Sequence, residues 1–407
     1  MRVLLSTIGS RGDVQPVVAL ASRLREIGHE ARLCAPPDFR EWIEGLGVDF
    51  VPLGPEVRPG TRPDSEFRRL GATPEGRQQL MDGTVATQFE TLLPAADGCD
   101  VVLGWSALQL AAPSVAEKLG IRHVYAVFSP NQLPSGQHAP IPLPGVEPRP
   151  GVDNHTLWQQ ESQRWNEQWR PAVNSNRESI GLPPIEDVLS HMNSPRPWLA
   201  ADPVIGPWPE PGDDGVVQTG AWLTRDIRPL PPELARFLDA GEPPVFFGFG
   251  STGTAPAEVA EVMLASARAH GRRAVISSGW SDLELPAGAE DVIVIGEANF
   301  QALFPRVAAA VHHGGSGTTT VTSISGTPHV IVPHRYDQFY WAQRIEELGI
   351  GAEHRSTSPT VESLTAALDR VLRPEVAARA KAVAAEMAPN GVEIAADLLV
   401  NGGAAPA

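Results

Sequence analysis

Over most of this chain, short apolar runs alternate with longer stretches in which apolar positions recur every three or four residues. "RVLLSTIG" (2–9) is such a run, closed by Gly9, and reads as a buried strand. "VQPVVALASRLREIG" (14–28) has the helical period and stops at Gly28. A strand "EARLCAPP" (30–37), a short helix "FREWIEGLG" and a strand "VDFVPLG" follow. Next come a helix around 79–97, a strand "DVVLGW" (100–105), a helix "SVAEKLG" and a strand "RHVYAVF" (122–128). Strand and helix taking turns is the pattern of a parallel α/β domain.

Residues 129–220 break the rhythm with Pro, Trp and polar positions. Inside them "HTLWQQESQRWNEQWRPAVNSNRESIGLP" reads as helix, and its Trp158, Trp165 and Trp169 form either a face packed on the core or a wall for a large flat ligand. The Pro-rich 129–170 segment is expected to be a mobile wall of a ligand site, because long irregular connections are usually functional or disordered. From about 240 the alternation resumes. "PPVFFGFGS", "RAVISSG", "DVIVIGEA", "AAAVHHG" and "PHVIVP" are strands separated by helices, with three helices in a row after 358. The whole reads as two doubly wound, Rossmann-like domains joined near 205–225. Ligands of such sheets bind beyond the carboxyl ends of the strands, so two facing domains form a cleft.

The length of 407 residues agrees with two domains. The formal net charge of −16 argues against nucleic acid, whose binding rests on cationic contacts to phosphate. No apolar run is long enough to span a membrane, and the N-terminal run, interrupted by "GSRGD", is too short for a signal peptide. A cytoplasmic location is expected. Cys34 and Cys99 sit in no ligand cluster.

"HHGGSGTTT" (312–320) closes one strand and opens a helix. It is open to three readings: metal site, tight turn or phosphate cradle. Neighbouring histidines on a strand point apart, and no Cys or spaced acid accompanies them. Glycines allow close backbone approach, and the first helical N–H groups are unpaired donors at a positive dipole end, which suits phosphate. After the next strand, Asp337 and Gln338 open a helix. Acid and amide side by side suit vicinal hydroxyls, while N-capping alone would account for Asp337.

"HHGGSGTT" followed by "DQ", with "GSRGDVQP" near the N-terminus, resembles the GT-B nucleotide-sugar glycosyltransferases of family 1. The resemblance is strongest to bacterial natural-product enzymes, above all the glycopeptide-antibiotic glycosyltransferases. "CAPPD", "SVAEKLGI", "IGLPP", "WLAADPV", "VQTGAWL", "FLDAG" and "GFGS" extend it along nearly the whole chain. "GSRGDVQP" is also similar to sterol glucosyltransferases.

The resemblance implies that His312 contacts the donor diphosphate, with Gly315, Ser316, Gly317, Thr318 and Thr319 supplying the helix start beneath it. It implies that Asp337 and Gln338 hold sugar hydroxyls, that Ser251 lies on the phosphate side, and that backbone at Ala298 meets the pyrimidine. Phe339 stands where the family often has proline, and Ala298–Asn299–Phe300 where it often has Val-Pro-Gln. "GFGSTG" (248–253) also fits a dinucleotide fingerprint, but no acid ends the next strand and Pro256 delays the helix.

Transfer from a nucleotide sugar needs a group to take the acceptor's proton. Asp13 lies in the loop after the first strand and matches the acid that acts as base in the glycopeptide group; capping of the following helix is the alternative. Ser10 is expected beside Asp13 or the acceptor, and Arg11 toward the diphosphate. No DxD motif follows a strand, so neither a metal nor any cofactor besides the UDP- or dTDP-linked co-substrate is expected.

The expected organisation is an acceptor-binding domain at 1–210, a nucleotide-sugar-binding domain at 211–380, and a terminal helix at 381–407 packing back on the first domain. The expected function is inverting transfer of a hexose from a dTDP- or UDP-sugar to a hydroxyl of a bulky aromatic or polycyclic natural product, such as a glycopeptide aglycone, in antibiotic biosynthesis. A lipophilic, sterol-like acceptor, a GT-B epimerase and a non-catalytic partner of a glycosyltransferase are the rivals.

Overall fold

The computed structural model describes residues 1–60, 65–141, 151–210, 215–249, 257–279 and 289–402. Two parallel sheets organise them. The first has seven strands in the order β3-β2-β1-β4-β5-β6-β7. They are β1 (Arg2–Ser6), β2 (Glu30–Ala35), β3 (Asp49–Pro52), β4 (Val101–Trp105), β5 (Arg122–Val127), β6 (Trp198–Leu199) and β7 (Val217–Gln218). The second has six, in the order β10-β9-β8-β11-β12-β13. They are β8 (Val245–Gly248), β9 (Ala274–Ser277), β10 (Val292–Ile295), β11 (Ala309–His312), β12 (His329–Ile331) and β13 (Gly351–Glu353).

Both sheets are covered on both faces, which is why their strands read as continuous apolar runs. In β1, Val3 and Leu5 join the core that includes Val17 and Leu20 of helix α1 (Arg11–Glu26). Leu4 points the other way, toward Leu92 and toward Trp169 of helix α2 (Asn154–Ser179). Trp165 packs at the same place, so these two tryptophans form the core-facing stripe.

The strand order reverses between β1 and β4 in the first sheet and between β8 and β11 in the second. These are the positions where a doubly wound sheet opens a crevice at its carboxyl edge. The loops after β1, β11 and β12 therefore carry the residues of interest. The halves of the molecule are packed on each other. Tyr125, Val127, Leu199 and Ile205 share one core with Ile331, Trp341 and Ile345. Trp341 and Ile345 belong to helix α4 (Gln338–Glu347), which follows helix α3 (Ser316–Ile324).

The first sheet takes in β7 at residues 217–218, beyond the boundary at 210 drawn from sequence, so the change of domain falls in the stretch that follows. Helix α5 (Gly391–Val400) lies against the first domain, with Val392, Ala395 and Leu399 in the core that holds α1. The guanidinium of Arg122 donates to the carbonyl of Leu399 at 3.1 Å, capping that helix. No helix among the described residues is long and apolar enough to cross a membrane.

Candidate active site

Asp13 sits in the first turn of α1, just beyond β1. Its side chain turns back on the loop. Ser10 donates to Asp13 Oδ2 from its backbone N–H (2.8 Å) and from Oγ (3.2 Å). Gly9 makes this possible. It has φ +119°, and a Cβ there would lie 2.4 Å from Asp13 Oδ2. Burial raises the Asp13 carboxyl to about 6, against the two Ser10 hydrogen bonds, which lower it.

The alternatives of base and cap prove not to compete. The N-cap is Ser10, and Asp13 is the third helical residue, reaching back as in a capping box. That uses one carboxylate oxygen. Arg11, beside it, lays its guanidinium over the Trp42 ring, 3.5 Å from the centroid, and reaches Glu297 of the second domain at 3.5 Å. Arg11 thus spans the cleft at the edge of the loop that holds Ala298.

In the second domain, α3 begins at Ser316 with Gly315 as its N-cap. The first bond of the helix runs from the Thr319 N–H to the Gly315 carbonyl at 2.9 Å. The N–H groups of Ser316, Gly317 and Thr318 precede it and have no helical carbonyl to reach. Ser316 Oγ donates to the Phe128 carbonyl of the first domain at 3.4 Å, so the helix start faces the cleft.

The structure encloses two of the residues expected to contact the donor. His312 is fully buried, with both ring nitrogens engaged: Nδ1 accepts from Gly314 N–H (3.1 Å) and Nε2 bonds His329 Nδ1 (3.1 Å). It has no donor left for a ligand. His313, the next residue, lies at the loop instead. Its ring covers Gly315, where a Cβ would lie 2.6 Å from Nε2, and its Nδ1 has no partner. Neighbours on a strand face opposite ways, and β11 ends at His312, so His312 belongs to the covered face and His313 to the loop. Thr319 is likewise enclosed, its Oγ1 donating to the Gly315 carbonyl at 3.0 Å, and it offers no hydroxyl to the cleft.

Asp337 is the N-cap of α4, but its side chain does not cap. Oδ2 accepts from Trp341 Nε1 at 2.8 Å. Burial raises this carboxyl to about 7, against the Trp341 hydrogen bond, which lowers it, and with a smaller upward push from the charge of Asp13. Gln338 Oε1 accepts from the N–H groups of His334 (2.8 Å) and Arg335 (3.2 Å), which folds the loop and leaves the amide nitrogen for a ligand.

Ala298 is half-buried at the start of a loop stitched to the inter-domain stretch. Asn299 Nδ2 donates to the Asp226 and Arg228 carbonyls, at 2.9 and 2.8 Å, and Gln301 Nε2 to that of Thr224 at 2.7 Å. Ser251 lies outside the described residues. The described residues of the 129–170 segment carry hydrogen bonds of their own. Glu210 accepts from Ser135 Oγ and Gly136 N–H, at 2.6 and 2.9 Å, and Trp158 Nε1 donates to the His138 carbonyl at 3.0 Å. Among the described residues no group of three or more His, Cys, Asp or Glu is arranged to hold a metal ion.

Residues 3–134 match the glycosyltransferase family 28 N-terminal domain, and residues 282–400 the erythromycin biosynthesis protein CIII-like C-terminal domain. Glycosyltransferase GtfE of Amycolatopsis orientalis is 48% identical over 402 residues, covering 98% of this chain and 97% of the relative. The vancomycin aglycone glucosyltransferase of that organism is 46% identical over 403 residues, 98% and 97% of the two chains. Its dTDP-epi-vancosaminyltransferase is 44% identical over 390 residues, 94% and 93% of the two. Of solved structures, spinosyn forosaminyltransferase SpnP superposes with a TM-score of 0.69 at 20% identity, covering 98% of this chain and 99% of that one. Glycosyltransferase VinC in complex with dTDP gives 0.64 at 20% identity, with 97% and 95% covered. These two bear on the fold, which is GT-B.

Proposed function

The chain belongs to the GT-B glycosyltransferases of the glycopeptide-antibiotic type, and we propose that it transfers a hexose from a dTDP- or UDP-sugar to a hydroxyl of a glycopeptide aglycone, with inversion at the anomeric carbon. One observation carries the mechanism. Helix α1, whose first turn carries Asp13, packs against helix α3 of the second domain, and Ser316 Oγ at the start of α3 donates to the Phe128 carbonyl of the first domain, which supports one reaction space between the loop after β1 and the loops after β11 and β12.

In that space the acceptor hydroxyl meets Asp13. Its oxygen bonds the anomeric carbon as Asp13 takes the proton, and the bond from that carbon to the diphosphate oxygen breaks with its electron pair. The departing charge meets the N–H groups at the start of α3 and His313, a preorganised electrostatic site. Burial holds His313 down to about 4 in the free protein, and a dianion at Nε2 favours a proton there. Asp337 and the amide nitrogen of Gln338 hold sugar hydroxyls, and the loop at Ala298 meets the base.

The reading assigns the first domain to the acceptor and the second to the donor, with no metal and no cofactor beyond the donor, in the cytoplasm. A sterol-like acceptor is less favoured, since relatives 44–46% identical along nearly the whole chain are a vancomycin aglycone glucosyltransferase and a dTDP-epi-vancosaminyltransferase. The test incubates the protein with dTDP-glucose or UDP-glucose and a glycopeptide aglycone in excess chelator and follows the conjugate by mass. Formation of the conjugate supports the proposal. Hydrolysis or epimerisation of the donor without a conjugate contradicts it.

A further inference from the structure

The buried pair His312 and His329 takes no part in the chemistry above, yet both imidazoles are fully enclosed. They come from adjacent strands. His329 pairs with Ala310, two residues behind His312, so the two rings project to one face. Gly314 N–H donates to His312 Nδ1 at 3.1 Å. A backbone N–H only donates, so Nδ1 carries a lone pair and the neutral ring holds its proton on Nε2. Nε2–H donates to His329 Nδ1, with 3.1 Å between the two nitrogens. His329 then keeps its own proton on Nε2, directed at Ser323 Oγ, 3.4 Å away. One backbone N–H thereby assigns the tautomer of two rings. Burial keeps both neutral, bringing His329 down to about 3 and His312 well below its ordinary value.

We propose that His329, acting through His312, is a positioning residue for the donor site: it keeps His312 Nδ1 an acceptor, and that acceptor holds Gly314 in the conformation that aims His313 and the start of α3 at the diphosphate. Gly314 has φ +88°, and a Cβ there would lie 2.5 Å from Ile331 Cγ2 and 3.2 Å from the Gln338 carbonyl oxygen. The loop is therefore wedged between the end of β12 and the first residue of α4. If His329 is replaced by a side chain that accepts nothing, the Nε2 proton of His312 is stranded. The ring then turns to bring that proton to another acceptor, which takes Nδ1 away from the Gly314 N–H and releases the loop. His313 and Gln338 move with it, because both touch the same turn.

The proposal rests on the reading that this loop receives a nucleoside diphosphate, and its test separates the two. dTDP and UDP are titrated calorimetrically into the intact wild-type protein and into His329→Leu and His329→Asn. Asparagine offers an oxygen close to the place of the histidine Nδ1; leucine fills space and accepts nothing. The expected result is binding by the wild type, about tenfold weaker binding by His329→Leu and near-wild-type binding by His329→Asn, with the acceptor KM unchanged throughout. Nitrogen-15 imidazole spectra of the wild type need no variant and should show His312 neutral, protonated on Nε2, from about pH 5 to about pH 8. An Nδ1-protonated or charged His312 overturns the proposal. So does wild-type affinity in the leucine variant, or equal weakening in both variants. A wild type that binds neither nucleotide overturns the reading of the loop itself, and the proposal with it.

Discussion

The backbone N–H of Ser10 donates to Asp13 Oδ2 at 2.8 Å, and this bond decides which carboxylate oxygen is left to work. Oδ2 is also taken by Ser10 Oγ at 3.2 Å, while Oδ1 has no hydrogen bond among the described residues. The side chain proposed as proton acceptor is thus also part of the helix start. The bonds at Oδ2 fix the rotamer, and burial raises the carboxyl toward the range where a base works near neutral pH.

The first consequence is a pH profile. With the Asp13 carboxyl at about 6 in the folded protein, its ionised fraction falls as pH drops below that value. kcat/KM for the acceptor should be flat near pH 8 and lose about a factor of ten per pH unit below about 6. Steady-state rates across that range check it; a limb near pH 4 would mean an unperturbed carboxylate.

Gly9 is the second handle. With φ +119° and no room for a Cβ beside Asp13 Oδ2, Gly9→Ala should displace the carboxylate from Ser10. Turnover should fall roughly tenfold or more, the usual cost of a small misplacement of a reacting group. The affinity for dTDP, measured by calorimetry on the same variant, should stay within about twofold of wild type.

His313→Ala removes the ring that covers the helix start. Turnover should fall roughly a hundredfold, and dTDP and UDP should bind more weakly. The melting temperature should hardly change, because the ring is half-buried and its Nδ1 has no partner. Calorimetry and a thermal scan of one preparation test both halves.

Asp337 gives a prediction about stability. Its carboxyl is raised to about 7, so the folded state favours the protonated form. The stability this lends is full below the ordinary carboxyl pKa near 4 and is lost as pH rises through about 7. Asp337→Asn keeps an oxygen for Trp341 Nε1 without the buried charge. At pH 8 the variant should be more stable than wild type by on the order of 2–4 kcal/mol, and at pH 4 the two should melt alike. Transfer should slow at pH 8, since an NH₂ group then stands where a carboxylate oxygen accepted from a sugar hydroxyl. Melting curves at the two pH values decide it.

Most of the α/β frame was legible because strands buried on both faces are apolar throughout and end at Gly or Pro. What escaped was short. β6, β7 and β13 have two or three residues each, too few for a period, and β7 carried the first sheet past residue 210. At the site, Asp13, the glycine loop and Asp337 stood out by residue type and by their place after strands. Which of His312 and His313 is buried did not, because both are in the motif and the sequence does not say which residue ends β11. Nor did the ties of Asn299 and Gln301 to residues 224–228, since contacts so far apart in the chain leave no local pattern.

The account turns on Asp13 as the base, and Asp13→Asn tests it most directly. Asparagine keeps the size, and its amide oxygen still accepts from Ser10, but it takes no proton. Turnover, dTDP affinity and melting temperature should be measured on one preparation. Turnover should fall by about 10² to 10⁴, with affinity near wild type and a melting temperature at or above it. A folded Asp13→Asn protein that binds dTDP and turns over at the wild-type rate would contradict the account.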